Sequence, residues 1–379
     1  MTSMALSLTL LVATARAAGP GQPPREAQKA FSAAVNFYEQ TQFDKAIVNF
    51  DKAISLFPGW KTASAYRGIC RWTMGDLTGA TEDAEIGLKL KPNTVESFIA
   101  RGKARLVTRD YDGAAEDFRQ AAALDPESAE GHFGLGAALS SKGDSQGALS
   151  ELDNAIRLNS EFAAAMLVRG SVKDRLRDFK GAVRDYTRLL EINPKFVWAH
   201  YYRGKSYREL KAYREALKDL DAFLDENPKR ADAFYLRSNV KFLLQDYQGA
   251  VDDLGAVIEL DPKRGLAYSN RGQARAMLGD KAGALEDLKK ALQLEPAKRD
   301  KIQAAIDSLG GGAVAQDQPE APAPKPAKRS RAGQAIVIND DAPAAPKDDA
   351  KPKHGPAQES ENPKAAESSA GQDDTVFIK

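Results

Sequence analysis

The 379-residue chain carries 54 basic and 53 acidic residues and is 42 % hydrophobic and 28 % charged, a balance that suits a soluble protein. Nucleic-acid binding needs a concentrated basic patch; the short cluster Lys325, Lys328, Arg329 and Arg331 is balanced by nearby acids, so no nucleic-acid partner is expected. The single cysteine, Cys70, excludes an intrachain disulfide and a thiolate zinc site, which takes several cysteines, and it reads as a buried small apolar residue.

In chain order, residues 4–12 form an apolar run too short to cross a bilayer, which takes about 20 residues. Ala15-Arg16-Ala17 follows and fits a signal-peptidase site. A signal peptide over residues 1–17 is therefore expected, giving a periplasmic or secreted protein. The leader carries no Lys before the run, and the alternative is a cytoplasmic protein. No cysteine stands near the cleavage position, so no lipoprotein anchor is expected, and no transmembrane segment. Residues 18–26, rich in Gly and Pro, read as a linker.

From Ala27 the chain repeats with a period of 34 residues. Eight blocks run without insertion: 27–60, 61–94, 95–128, 129–162, 163–196, 197–230, 231–264 and 265–298. Position 20 is alanine in every block (Ala46, Ala80, Ala114, Ala148, Ala182, Ala216, Ala250, Ala284). Position 8 is glycine in six (Gly68, Gly102, Gly136, Gly170, Gly204, Gly272) and small in the others, Ala34 and Ser238. Small residues at these positions let two helices approach closely. Position 24 lies one helical turn beyond the alanine and is mostly large (Phe50, Phe118, Leu152, Tyr186, Leu220, Leu254, Leu288), able to fill the space between the pair. Proline at position 32, in every block but the fourth, which has Ser160, is expected to stop the second helix. Aspartate at position 16 (Asp76, Asp110, Asp144, Asp178, Asp246, Asp280) stands where an N-cap belongs.

This pattern resembles the tetratricopeptide repeat family, whose signature is a small residue at 8, Ala at 20, a large residue at 24 and Pro at 32. The resemblance covers residues 27–298. It implies an all-α fold: a right-handed α-solenoid of eight contiguous 34-residue helix-turn-helix repeats, with first helices lining a concave groove that binds peptides or proteins. A terminal repeat exposes an apolar face. Residues 299–310, with Ile302, Ile306 and Leu309 on one face, are the expected capping helix, closed by Gly310-Gly311-Gly312. Residues 311–379 are rich in Ala, Pro, Lys and Asp. Too little apolar surface exists there to offset the entropy of ordering, so disorder is expected. Two apolar islands, Ile336-Val337-Ile338 and Val376-Phe377-Ile378, interrupt the tail.

Two further periodicities bear on function. Position 7 is arginine in six blocks (Arg67, Arg101, Arg169, Arg203, Arg237, Arg271) and position 23 is acidic in seven (Asp83, Asp117, Glu151, Asp185, Asp219, Asp253, Asp287). A structural ladder of ion pairs is expected, either within a repeat or between neighbours. The resemblance places the groove wall at first-helix positions 2, 5, 9, 12 and 13, and these vary among the blocks. In the third block they are Glu96, Ile99, Lys103, Leu106 and Val107, the residues left to face a partner. The richest section is the sixth and seventh blocks, with Trp198, Tyr201, Lys205, Arg208, Asp232, Tyr235, Asn239 and Phe242. Aromatics beside Arg, Lys and Asn have the composition of a binding hot spot, although Trp198 and Phe242 could equally pack on neighbouring repeats. Chaperone-binding members of the family grip a C-terminal carboxylate with Lys and Asn at set positions. Asn239 and Asn270 fit that pattern, but Tyr235, Asp300 and Ala304 stand where cations belong, so no such clamp is expected.

No P-loop, nucleophile elbow or HExxH motif occurs. His132 and His200 share position 4, normally a packing site, and read as structural; His354 is in the tail. No catalytic residue, cofactor or metal site is expected. The chain reads as a non-catalytic scaffold for a protein or extended peptide. The alternatives are an assembly subunit of a cell-envelope complex and a regulatory subunit of an envelope enzyme.

Overall fold

The computed structural model describes residues 22–310. The signal-peptide expectation and the tail with its apolar islands lie outside these residues. Contacts divide the described chain into two compact units between Glu226 and Asn227, and each is taken by itself. The first unit holds six helix pairs: α1 (Arg25–Glu39) and α2 (Phe43–Leu56), α3 (Lys61–Thr73) and α4 (Leu77–Gly87), α5 (Val95–Val107) and α6 (Tyr111–Leu124), α7 (Ala129–Ser141) and α8 (Ser145–Leu158), α9 (Ala163–Arg175) and α10 (Phe179–Ile192), α11 (Trp198–Glu209) and α12 (Tyr213–Glu226). The second holds α13 (Ala231–Leu243) with α14 (Tyr247–Leu260), α15 (Gly265–Met277) with α16 (Lys281–Leu294), and α17 (Arg299–Ser308) after a short 3-10 turn. The helices pack in adjacent pairs, as an α-solenoid of helix-turn-helix repeats requires.

The local grammar explains each pair. Position 15 leaves the first helix in the left-handed region in all eight repeats, with glycine at Gly75, Gly143 and Gly279 and other residues at Thr41, Arg109, Arg177, Lys211 and Gln245. That reversal satisfies the last carbonyls and turns the chain. The expected N-caps form: Asp76, Asp110, Asp144, Asp178, Asp246 and Asp280 each accept a hydrogen bond from the amide of the glycine three residues on. The large residue at position 24 seats on the small one at position 8. A Cβ added to Gly170 would lie 2.6 Å from the Tyr186 ring, and one on Gly102 2.8 Å from the Phe118 ring.

The prolines need a correction. Without one, α8 still ends at Leu158, position 30, as the second helices of most other repeats do. The chain there turns extended at Asn159, whose side-chain oxygen accepts from the Glu161 amide at 3.1 Å. The same side-chain turn stands beside the proline at Asp125, Asn193 and Asp261, so it follows the second helix with or without proline.

In the first unit α4 is thin on its packed face, with Ala80, Ala84 and Gly87 buried there. A Cβ at Gly87 would stand 2.8 Å from the Cβ of Ala65 and 2.9 Å from that of Ala104, so α3 and α5 close over it and pack directly on each other. This bend brings the first repeat to the fourth and fifth. The Asn159 amide donates to Glu39 Oε2 at 3.1 Å, and that of Asn193 to the Gln40 carbonyl at 3.1 Å and to Thr41 Oγ1 at 3.0 Å. The Phe43 and Phe196 rings meet edge-on at 6.3 Å. Repeats of a solenoid ordinarily touch only their neighbours, so these contacts are an addition to the repeat plan. In the second unit Ile302 and Ile306 of α17 are buried with Leu266, Leu288 and Ala291, the capping contact expected from the sequence.

Candidate functional site

The inner wall of the first repeats is closed by its own side chains. Lys103 is 1 % exposed. Its ammonium donates to Tyr38 Oη at 3.1 Å, stands 3.2 Å from Glu130 Oε1, and lies 4.1 Å and 4.7 Å from the ring centroids of Tyr38 and Tyr66. Tyr66 Oη donates to Glu130 Oε2 at 2.6 Å. Burial pulls the Lys103 ammonium toward neutrality, but Tyr38 and Glu130 outweigh it and the net shift is upward, to about 12. Burial pushes the Cys70 thiol up to about 12, which leaves it protonated and inert. The expectation that Ile99, Lys103 and Leu106 face a partner is therefore wrong: all three are buried. They point into the first unit because the bend at α4 brings first helices into contact across the space a ligand would occupy.

The candidates from the sixth repeat sit together on α11. Trp198, Tyr201, Lys205 and Arg208 are spaced i, i+3, i+7, i+10 on one side of the helix, and all four are half-buried. Trp198 meets Phe223 of α12 edge-on at 5.0 Å and Tyr201 at 5.8 Å; Tyr201 lies 5.2 Å from Phe223 and 5.6 Å from Tyr202. These rings are pinned from beneath by the buried Phe223 within their own repeat. Beside them Asp174 accepts from Ser206 Oγ at 2.7 Å and from Tyr186 Oη at 3.1 Å. Burial raises the Asp174 carboxyl to about 6, against the pull of these two hydroxyls.

The candidates from the seventh repeat lie on α13 in the second unit. Asp232 is exposed and pairs with Arg264 at 3.0 Å, and the Arg264 guanidinium lies 4.2 Å from the Tyr235 ring centroid. Asn270 donates to Tyr235 Oη at 3.0 Å and to Asn239 Oδ1 at 3.3 Å. Phe242 packs edge-on against Tyr247 at 5.2 Å, inside its own repeat.

Of the two forms expected for the ion-pair ladder, the pairing of positions 7 and 23 is found within the repeat, and the link to the preceding repeat runs to position 25 instead. Within each repeat the arginine grips its aspartate through Nε and Nη2, as in Arg169–Asp185 at 2.9 and 2.6 Å and Arg271–Asp287 at 2.9 and 2.8 Å. Nη1 can also reach back to position 25 of the previous repeat, as where Arg67 meets Asp51, Arg169 meets Asp153 and Arg203 meets Thr187. The aspartate side chains are 1–5 % exposed and the arginines 15–24 %. A second cation at position 11 joins the same carboxylate (Arg71, Arg105, Lys173, Lys241, Arg275). The sequence reading passed over it, although its periodicity is as visible as that of position 7. The histidines complete the pattern. His132 Nδ1 lies 2.6 Å from Glu151 in the repeat whose position 7 is Leu135, and His200 Nδ1 lies 2.8 Å from Asp219 where position 11 is Tyr207. Among the described residues no cluster of His, Cys, Asp or Glu could hold a metal ion, and no helix is long and apolar enough to cross a membrane.

Two Tetratricopeptide repeat profiles match the chain, one over residues 99–161, 138–195, 167–231 and 201–254 and the other over 265–298. The chain belongs to the tetratricopeptide repeat family. Similar solved structures include YrrB, described as a TPR protein with an unusual peptide-binding site, 25 % identical over 51 % of this chain and 99 % of that one (TM-score 0.47). The APC/C hetero-tetramer Cut9-Hcn1 is 13 % identical over 74 % of this chain and 55 % of that one (TM-score 0.58), a likeness of fold. Pseudomonas aeruginosa pilF is 15 % identical over 56 % and 97 % (TM-score 0.49). No curated protein matches the sequence. Tetratricopeptide repeat arrays are typically non-catalytic, and the repeats support a general role for this chain as a protein–protein interaction scaffold.

Proposed function

We propose that the protein is a non-catalytic scaffold that captures a protein or an extended peptide on the first-helix face of its sixth repeat, through Trp198, Tyr201, Lys205 and Arg208 of α11; Asp232, Tyr235 and Asn239 of α13 are a separate candidate within the second unit. One contrast supports this reading above all. The inner wall of repeats two and three is spent on the chain's own core, with Tyr66, Ile99 and Lys103 buried, whereas the equivalent face of α11 is half-buried aromatic and cationic. Rings held by a buried neighbour lose little freedom on binding, the property that lets an aromatic carry interface energy. Export to the periplasm belongs to the same proposal and rests on residues 1–17 alone. N-terminal sequencing of the mature protein tests it; a retained leader argues for the cytoplasm.

Chemical crosslinking followed by affinity capture from native cells tests the binding face. The wild type should retain a discrete partner that Tyr201→Ala combined with Tyr235→Ala loses at least tenfold. Undiminished capture by the double variant would move binding to another surface, as in an assembly subunit that uses its edges.

A further inference from the structure

The back-reaching contact of the ladder follows a rule along the chain. Where position 7 is arginine, position 25 of the preceding repeat carries an oxygen acceptor: Asp51, Glu85, Asp153, Thr187 and Asp221 stand before Arg67, Arg101, Arg169, Arg203 and Arg237. Where position 7 is Leu135, the preceding position 25 is Arg119, which can only donate. The eighth repeat breaks the rule, because Gly255 stands before Arg271. Arg271 holds Asp287 through Nε and Nη2 at 2.9 and 2.8 Å, and among the described residues no acceptor meets its Nη1. Arg101 also makes no such bond among the described residues, but its position-25 counterpart, Glu85, is still a carboxylate. The backbone does not require this glycine. Gly255 lies inside α14 without a positive φ, and a Cβ added to it would meet no atom nearer than Arg271 Nη1, at 4.0 Å. Glycine in a helix interior weakens the helix, so what Gly255 provides is access to the guanidinium.

We propose that Arg271 Nη1 is a docking point for a carboxylate of a partner protein: an aspartate or glutamate side chain from an acidic segment takes the place that Asp51 and Asp153 take on Arg67 and Arg169. Those two carboxylates accept from Nη1 at 2.6 and 2.8 Å, so the chain's own repeats show which group this position receives. The guanidinium borders a cleft of about 360 Å³ between α15 and α16, walled also by Tyr268, Glu286, Asp287, Lys289 and Lys290. Asp287 is shared by Arg271 and Arg275, and Glu286 is one acid against two exposed lysines. The cleft is therefore net cationic and draws an anion. A planar guanidinium with two donors already committed presents the third in a fixed direction. All these residues lie in the second unit, and the site does not depend on α11.

Fluorescence polarisation on the full chain at low ionic strength, where the contact is least screened, tests this with two labelled, capped peptides. One alternates alanine with glutamate and the other alanine with glutamine. The wild type should bind the glutamate peptide more tightly by roughly threefold or more. Gly255→Ala leaves Nη1 open and should keep that preference. Gly255→Asp rebuilds the rung with the chain's own carboxylate and should abolish it. Gln248→Glu adds the same charge elsewhere on α14 and should leave the preference in place, which separates loss of the donor from loss of net charge. Lys289→Gln combined with Lys290→Gln should lower the preference with position 255 untouched, so the proposal stays testable if Gly255→Asp fails to fold. Equal binding of the two peptides by the wild type, a preference that survives Gly255→Asp or the double lysine variant, or one lost as fully in Gln248→Glu would each overturn it.

Discussion

At the scale of single residues, the ladder aspartates are the most exacting positions in the chain. Asp185 holds Arg169 twice and Lys173 once while almost wholly buried. Asp185→Asn keeps the shape and leaves two cations facing an amide. Breaking a buried pair from one side costs about 3–5 kcal/mol. The exposed pair Arg119–Glu116 on α6 is worth about 0–1 kcal/mol. Denaturant unfolding should therefore show a large fall in midpoint for Asp185→Asn and almost none for Glu116→Gln; equal small effects would contradict the buried ladder. Asp174 gives a pH signature of its own. Its carboxyl is raised from an ordinary 3.8 to about 6 by burial, so the stability it contributes is fully present below about pH 4 and is lost as pH rises through 6. Asp174→Asn should narrow the difference between thermal midpoints at pH 5 and pH 8; an unchanged difference would show that Asp174 titrates normally. The arginine–acid periodicity was legible in the sequence because blocks of one chain can be compared with each other. Whether the arginine turned inward or back to the preceding repeat was not, since one guanidinium has donors enough for both.

At the scale of elements, nearly all of the architecture could be read before the structure. Alanine at 20, a small residue at 8 and a large one at 24 specify the helix pair, because a Cβ at Gly102 or Gly170 would collide with the ring that fills the groove. The capping helix followed from three apolar residues at helical spacing. Ile302 is wholly buried within the terminal cluster, and Ile302→Ala should destabilise the second unit by about 2–5 kcal/mol. Local exchange rates in α15 and α16 check this, with α5 and α6 unaffected; unchanged rates in α16 would mean that α17 is not a cap. What the repeat pattern concealed was the exception. The second repeat has Ala84 where most repeats carry a large residue and Gly87 one turn on, and the loss of volume in α4 reads as a harmless variation along the sequence. In three dimensions it decides how closely α3 and α5 approach. That approach buries Lys103, which a position-by-position reading had assigned to the ligand-facing wall. Position numbers tell which side of a helix a residue occupies, and the curvature of the array decides whether that side meets solvent, ligand or protein.

At the scale of the whole molecule, the repeats divide between two tasks. Repeats one to five of the first unit use their inner wall as core, held by a first repeat that reaches the fourth and fifth. The sixth repeat in the first unit and the seventh in the second carry the aromatic and polar faces we assign to binding. The candidate residues of these two repeats were legible by type and spacing, and their support by Phe223 in one unit and by Arg264 and Asn270 in the other was not, because those partners come from other helices. The central claim is that a partner meets α11 and is excluded from the inner wall of the first repeats. Site-specific photocrosslinking tests it most directly, with a crosslinking side chain placed in turn at Arg208, at Glu96 on the third repeat and at Glu82 on the exposed side of α4. A partner crosslink from Arg208 and none from Glu96 or Glu82 is the expected result; a crosslink from Glu96 or Glu82 with none from Arg208 would contradict it.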